Sequence, residues 1–193
     1  YTSKQWHAEI SAYQMNGNNE IVSVRQPDGV NLNQNTGSTK HIGLEYQIKY
    51  KLNNNLTFNF MGTNASHRYT STILKGVDIS GNEMNAAPKY WGTLSAEWKP
   101  TQNILVMADW QHQSNYFMDE TNTTSYGGFD VLNLRFGYTL KRTELWLNVL
   151  NLTNAYYSTM ATKNFSVKGT SAYSYYLGDP RSITIGWIWH IIK

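Results

Sequence analysis

The chain has 193 residues, of which 40% are hydrophobic and 15% charged, with a formal net charge of +3 and a mean hydropathy of −0.52. This length suits one domain, and no apolar run approaches the roughly 18–20 residues of a transmembrane helix, which excludes a helical membrane protein. Scattered cations do not indicate nucleic-acid binding, and the lack of cysteine excludes disulfides and Cys-zinc sites.

Apolar side chains recur at every second position in about eight segments, which is the period of a β-strand. In chain order these positions are Trp6, Ala8, Ile10 and Ala12; the even residues of 42–52; Leu56, Phe58 and Phe60; the even residues of 90–98; Ile104, Val106, Ala108 and Trp110; the even residues of 132–140; Leu145, Leu147 and Val149; and the odd residues of 183–191. No segment has a helical period of usable length. The sequence therefore predicts an all-β fold with long antiparallel strands.

The connections between these segments alternate in length. Short connections lie at 52–55, 100–103 and 141–143, and long ones rich in Gly, Asn, Ser, Thr or Tyr lie at 25–37, 75–89, 117–128 and 151–180. Short turns at one end and long loops at the other are typical of an up-and-down transmembrane β-barrel.

The two faces of each strand differ in chemistry. One face is apolar for about ten residues, the length that a tilted strand needs to cross hydrocarbon. The other is polar, and we assign Glu45, Lys49, Asp109, Asp130 and Arg135 to it. Aromatic residues near strand ends are typical of an interfacial girdle, namely Trp98, Trp110, Tyr138, Trp187 and Trp189.

Two other architectures fit part of this pattern. A soluble β-sandwich or lectin-like binding module also alternates, although a dry core would accept the polar face only at a large desolvation cost. A self-contained eight-stranded outer-membrane barrel, enzymatic or structural, fits the strand number. No catalytic motif supports an enzyme.

Three stretches together resemble the C-terminal part of the barrel of a TonB-dependent outer-membrane receptor. They are Asn35–Glu45 (NTGSTKHIGLE), Leu145–Tyr157 (LWLNVLNLTNAYY) and Tyr175–Trp187 (YYLGDPRSITIGW). Ala87-Pro88 ahead of a strand fits the proline at the foot of a long loop in that family.

The resemblance implies a barrel of about 22 strands around an N-terminal plug. Residues 1–193 would supply about its last eight strands, with the plug and earlier strands absent. It also implies an outer-membrane location in a Gram-negative bacterium, contact with the TonB complex through the plug, and uptake of a scarce nutrient, foremost a ferric siderophore. No enzymatic activity and no cofactor are expected. Family members usually end in an aromatic residue, whereas this chain ends in Lys193.

Candidate ligand contacts lie in the outer loops and on the polar face. Amphipathic aromatic rings offer a large contact area and a hydrogen-bonding edge, which points to Tyr116, Tyr126, Tyr173 and Tyr175. His41 and Arg135 are candidates on the polar face. The alternatives remain open: the tyrosines also fit a girdle, and His41 and Arg135 also fit ordinary lumen side chains. The histidines lack zinc-ligand spacing, and no metal site is predicted.

Overall fold

The structure is a computed structural model that describes residues 1–19, 21–25, 30–35, 37–74, 76–165 and 171–191. Regular structure in these residues consists of β-strands, and they contain no helix long and apolar enough to cross a membrane. The strands are β1 (Trp6–Asn18), β2 (Ile21–Arg25), β3 (Asn31–Asn35), β4 (Ser38–Lys51), β5 (Leu56–Ser71), β6 (Ile73–Leu74), β7 (Val77–Asp78), β8 (Tyr90–Thr101), β9 (Ile104–Gln113), β10 (Tyr116–Phe117), β11 (Ser125–Tyr126), β12 (Phe129–Leu140), β13 (Thr143–Leu150), β14 (Ser158–Phe165), β15 (Ser171–Leu177) and β16 (Ser182–Trp189).

Eight of these strands form one antiparallel sheet in the order β1-β4-β5-β8-β9-β12-β13-β16. Each strand pairs with the next long strand along the chain, which confirms the predicted up-and-down arrangement. In the described part of the chain β1 and β16 stand at opposite ends of this order and do not pair. The eight strands therefore do not close on themselves, as a self-contained barrel of eight would require.

The short connections all lie at one end of the sheet, here called the turn end, and the long ones at the other, here called the loop end. The long connections are more ordered than the sequence predicted, because four separate hairpins form within them: β2–β3, β6–β7, β10–β11 and β14–β15. Their strands are mostly short and lack a clear alternation, so the period-two signal misses them. Part of the predicted loop 25–37, and Lys193, lie outside the described residues.

Register separates an apolar from a polar face across the whole sheet. Leu134 lies opposite Ala108 and Val149 on the apolar face, while Arg135 lies opposite Met107 and Asn148 on the polar face. Large apolar side chains of the first face remain exposed, including Ile10, Leu94, Phe136, Ile183, Ile185 and Trp187. Contiguous exposed apolar side chains mark a surface that contacts a membrane or another protein. We call the apolar face the outer face and the polar one the inner face.

Asp130 was wrongly assigned to the polar face. It lies opposite His112 and two residues before Leu132, and therefore belongs to the outer face. Its Oδ1 accepts a hydrogen bond from Trp110 Nε1 at 2.9 Å and lies 2.9 Å from His112 Nδ1. The outer face becomes polar towards the loop end. The polarity of a side chain therefore does not predict its face in that region.

Buried side chains are concentrated at the loop end. Those described are Thr39, Tyr69, Thr72, Ile79, Gln113, Tyr116, Met118, Asp119, Val131, Asn151, Ser158 and Ala161. All of them lie in the long connections or in the strand ends that lead into those connections. The packed interior of this chain is thus formed by its loops, above a sheet whose two faces remain open.

Candidate ligand-binding site

Three long connections are joined into one body at the loop end. The Ala86 amide donates to the Phe117 carbonyl at 2.9 Å, and the Lys163 amide donates to the Met118 carbonyl at 2.9 Å. Asn122 and Glu83 exchange two hydrogen bonds of 2.8 Å, one in each direction. We call residues 79–86, 116–124 and 158–163 the loop core.

A buried carboxylate holds the centre of the loop core. Asp119 accepts hydrogen bonds from the Thr121 hydroxyl at 2.5 Å, and from the amide and hydroxyl of Thr123 and the amide of Thr124 at 3.0 Å each. Lys163 Nζ lies 3.6 Å from Asp119 Oδ2 and donates to the hydroxyls of Thr123 and Thr124, at 2.8 and 2.9 Å. Burial by itself would raise the pKa of Asp119, but these hydrogen bonds and the Lys163 ammonium outweigh it, so the pKa lies below its ordinary value.

Tyr116 and Tyr126 act as connectors between loops. The Tyr116 hydroxyl accepts from the Ala161 amide at 2.6 Å, and the Tyr126 hydroxyl accepts from the Ser158 amide at 2.8 Å. The two rings lie opposite each other in the β10–β11 hairpin, with centroids 5.4 Å apart. Tyr116 is buried, and burial raises its pKa. In this arrangement both hydroxyls are engaged within the chain, and a ligand contact through either stays a prediction.

Tyr173 and Tyr175 are placed differently. They lie opposite Lys163 and Ala161 in the β14–β15 hairpin and share a hairpin face with these two residues. Each side chain nevertheless remains about half exposed, at 53% and 52%. The hairpin thus presents two aromatic rings on a support that is fixed by hydrogen bonds.

His41 meets a second histidine on the inner face. The register places His41 opposite His67, and their Nδ1 atoms are 2.7 Å apart. The Thr39 hydroxyl lies 2.9 Å from His41 Nε2. The sequence placed both histidines near the loop end but did not pair them, since 26 residues separate them and only the β4–β5 register brings them together.

The remaining inner-face groups lie apart from this pair. Arg135 is exposed in the middle of β12, four strands from His41 and three from His67 in the sheet order. A groove of about 410 Å³ lies on β1, β4, β5 and β8, and its inner-face lining includes Glu9, Ser11, Glu45, Gln47, Thr63 and Trp91. Sequence analysis did not single out Trp91, although its position next to Gly92 on the outer face gives it inner parity.

The described residues contain no group of three or more His, Cys, Asp or Glu side chains arranged to hold a metal ion. The candidate groups are polar side chains on the inner face of the sheet and aromatic side chains in the loops at the loop end. Its chemistry is suited to binding, through hydrogen bonds, charge and ring contacts.

Comparison with known families identifies this architecture. The model of the TonB dependent receptor-like, beta-barrel family matches residues 1–152, well over half of the chain. The chain belongs to the TonB-dependent receptor-like β-barrel family.

Solved structures of receptors and transporters for iron complexes share the fold. The siderophore receptor PiuA from Acinetobacter baumannii aligns with a TM-score of 0.75 at 18% identity, over 98% of this chain and 26% of that chain. The ferric yersiniabactin uptake receptor FyuA from Yersinia pestis aligns with a TM-score of 0.76 at 15% identity, over 100% and 28%. The ferric citrate transporter FecA aligns with a TM-score of 0.73 at 22% identity, over 97% and 29%. This chain of the TonB-dependent receptor family thus spans between a quarter and a third of these structures.

The structure shows what two of the motifs that resembled the receptor family do in this member: they form hydrogen bonds between the end of β13 and the segment before β16. Asn151 is buried at the end of β13, with a positive φ of 49°. Its side-chain amide donates to the carbonyls of Ala155 and Asp179, at 2.9 and 3.0 Å, while its Oδ1 accepts from the Ala155 amide. The Arg181 amide donates to Asn154 Oδ1 at 3.0 Å. The Asn-Leu-Thr-Asn motif after β13 is therefore hydrogen-bonded to the Gly-Asp-Pro-Arg motif before β16.

Proposed function

We propose that this chain is part of the barrel wall of an outer-membrane receptor in a Gram-negative bacterium, which takes up a ferric siderophore. In this proposal residues 1–193 form a C-terminal barrel segment, and a plug outside this segment contacts the TonB complex. The chain contributes the lipid seal through its outer face and ligand contacts through its loops and inner face. Uptake is binding followed by gated passage, with no bond chemistry.

The observation that carries this proposal is the asymmetry of the sheet. Its outer face is apolar and exposed, its inner face is polar, and one end is covered by joined loops. A wall of this kind separates lipid from a hydrated path and gives that path a structured entrance. The family supports transport, and the siderophore or ferric-complex cargo of PiuA, FyuA and FecA supports a ferric complex as the cargo class.

Within the proposal, Tyr173 and Tyr175 are the first contacts for the cargo. Both rings are exposed on a fixed hairpin, so they bury area on binding at a small entropic cost. His41 and Arg135 act later, as inner-face donors for the anionic groups of a metal chelate. Tyr116 and Tyr126 contribute by holding the loops that carry the entrance.

The test uses the full-length receptor in a strain that lacks its own copy, with a panel of ferric siderophores carrying radioactive iron. We expect saturable uptake of at least one complex that disappears when TonB is deleted. Uptake of the panel that is equal with and without the receptor would overturn the transport proposal. If the receptor bound an iron-free nutrient and no ferric complex of the panel displaced it, the cargo class alone would be overturned.

The ligand surface is tested by a double substitution, Tyr173→Ala with Tyr175→Ala. Loss of two exposed aromatic contacts should weaken the affinity for the ferric complex about ten-fold or more. The matched control is Tyr156→Ala, because Tyr156 is also exposed but lies outside the hairpin. Equal affinities of the double variant and the control would remove the β14–β15 hairpin from the binding surface.

A further inference from the structure

The inner face carries a row of three donor side chains near the loop end. The register places Met15 of β1 opposite His41 of β4, and His41 opposite His67 of β5. Met15 is on the inner face because Ile10 and Ala12, at even positions of the same strand, are on the outer face. Residues directly opposite each other on neighbouring strands have Cβ atoms about 4.5–5.5 Å apart. The register therefore brings one thioether and two imidazoles together from distant parts of the chain.

The two imidazole rings already converge on one point. The Nδ1 atoms of His41 and His67 are 2.7 Å apart, with ring centroids 5.0 Å apart and planes tilted by 56°. At this distance one Nδ1 donates a proton and the other accepts it. Two nitrogens bound to one metal ion at about 2.0–2.1 Å stand roughly 3 Å apart. A small rotation of the rings therefore converts the hydrogen-bonded pair into a pair of metal ligands.

A buried hydroxyl holds the other nitrogen of His41. Thr39 is buried, and its Oγ1 lies 2.9 Å from His41 Nε2. When His41 binds a metal through Nδ1, its ring proton moves to Nε2, where the Thr39 hydroxyl accepts it. Both imidazoles stay neutral, which is the form that binds metals. A hydrogen-bond partner at the far nitrogen fixes the tautomer and orientation of a ligating histidine, so Thr39 favours ligation through the nitrogen that faces His67.

Met15 determines which metal suits the site. It is 56% exposed on the polar face of the sheet, and its unbranched side chain has three rotatable bonds, so the thioether can turn towards His41. His41 and His67 are also partly exposed, which leaves the row open to ions from the inner side. Thioether sulfur favours copper, and imidazole also binds copper, whereas magnesium and calcium prefer oxygen ligands. The donor set is therefore suited to copper.

We propose that Met15, His41 and His67 form a binding site for a copper ion. The protein ligands are Met15 Sδ and the Nδ1 atoms of the two histidines, and water completes the coordination. Binding changes the tautomer of the ring that donated the shared proton and involves no electron transfer. The site rests on the register of β1, β4 and β5 and does not depend on the ferric cargo.

The first experiment titrates Cu(I) into the full-length receptor in detergent, without oxygen, against a coloured Cu(I) chelator. His41→Gln with His67→Gln should remove one copper equivalent per receptor. We expect a loss of affinity of more than about a hundred-fold, because a change outside the ligand shell alone costs about 10–100-fold. Affinity equal to that of the unsubstituted receptor would overturn the site.

The matched control is His112→Gln with His190→Gln, which removes the same number of imidazoles. His112 lies on the outer face beside Asp130, and His190 lies at the turn end beside Glu144. This variant should keep the copper equivalent. In the receptor loaded with Cu(II), electron paramagnetic resonance should show couplings from two imidazole nitrogens that the control retains and His41→Gln with His67→Gln loses. Equal losses in the two double variants would reject the site.

The role of the thioether is tested by Met15→Leu. The two imidazoles bind Zn(II) without sulfur, so this variant should weaken Cu(I) affinity about ten-fold and change Zn(II) affinity less than two-fold. The control is Met160→Leu, since Met160 is also exposed but lies in β14. Unchanged Cu(I) affinity in Met15→Leu, or equal weakening for both ions, would remove Met15 from the site and overturn the three-donor proposal.

Two further readouts separate this proposal from the uptake proposal. A heat-dependent shift in gel mobility shows that each variant is folded, and uptake of the ferric complex should be unchanged in Met15→Leu. Copper binding at these residues in a receptor that takes up no ferric complex would retain the copper site and reject the cargo. Ferric uptake in a receptor whose copper affinity does not depend on His41 and His67 would reject the copper site alone.

Discussion

In the eight-stranded sheet, the outer-face side chains of Ile185 and Trp187 are exposed at 76% and 65%, whereas Ile79 and Met118 in the loop core are exposed at 1% and 2%. The sheet is held by a ladder of backbone hydrogen bonds and depends on its surroundings to cover its apolar face. The loop core is held by side-chain hydrogen bonds centred on Asp119 and by its own packing. The two regions should therefore fail under different perturbations, and the predictions below use that difference.

The largest expected effect is Leu94→Arg, which places a charge at the centre of the outer face. Leu94 lies opposite Phe60 and Trp110, and a charge at the bilayer midplane costs about 2–4 kcal/mol. The measurement is the free energy of unfolding in lipid vesicles by urea titration. The control is the neighbouring inner-face change Ser95→Arg, beside Asp109, which should cost far less. Equal losses would show that the two faces have been misassigned.

Asp119→Ala should disrupt the loop core and leave the sheet in place. It removes the acceptor of four hydrogen bonds and leaves the Lys163 ammonium partly buried without its carboxylate, a local cost of about 2–3 kcal/mol. We expect faster proteolysis and amide exchange in the loop core, with the heat-dependent gel shift of the barrel unchanged. Asp78→Ala is the control, since that carboxylate is exposed and accepts a local hydrogen bond from the Ser80 amide. Protection of the loop core equal to that of the unsubstituted protein would contradict this account.

Gly186→Ala should weaken the inner face of the sheet by about 1–2 kcal/mol, because a small-to-large change in a filled site forces its neighbours to move. A Cβ atom at Gly186 would overlap the Trp146 ring. Gly137 flanks the other side of Trp146 in the register, but a Cβ there would meet Leu105 at an ordinary 3.6 Å. Urea titration should therefore find Gly137→Ala neutral or slightly stabilising. A loss of the same size in both would exclude the Trp146 contact as the cause.

The smallest effect is a pH dependence confined to the loop core. The pKa of Asp119 is lowered from 3.8 by folding, so its contribution is complete above pH 3.8 and is lost as the pH falls through the folded value. Amide exchange in the loop core should accelerate in that acidic range while exchange in β8 and β9 does not. In Asp119→Asn this acid-dependent step should be absent, and its persistence would assign it to another group.

Much of the sheet could be predicted from the sequence, because alternate residues of each strand face opposite sides of the sheet. One side is apolar and the other polar, so the residues alternate in polarity along the strand. The segment 132–140 shows it: alternate apolar residues were expected on one face, and the register places Leu134, Phe136 and Tyr138 there. Asp130 shows the limit. Near the loop end, both faces of the strand carry polar residues, so the polarity of Asp130 did not predict its face. Its pairing with His112 was needed to place it on the outer face.

The candidate site was less predictable. The six predicted residues fall into separate places: Tyr116 inside the loop core, Tyr126 hydrogen-bonded to it at Ser158, Tyr173 and Tyr175 on an exposed hairpin, His41 beside His67, and Arg135 exposed on β12. Composition marked the tyrosines as contact residues but could not show which hydroxyls the loops themselves use. That depends on contacts between segments some 30 to 45 residues apart, such as Tyr116 with Ala161.

The sequence by itself therefore determined the strands, their order, the two ends of the sheet and the family, since all of these follow from local periodicity, connection length and short motifs. Only the tertiary structure decided that the long loops join into a packed body, that Asp119 and Lys163 meet within it, and that His41 and His67 meet on the inner face. The physical reason is that side-chain partners across loops and strands are set by register and docking, which no single segment encodes.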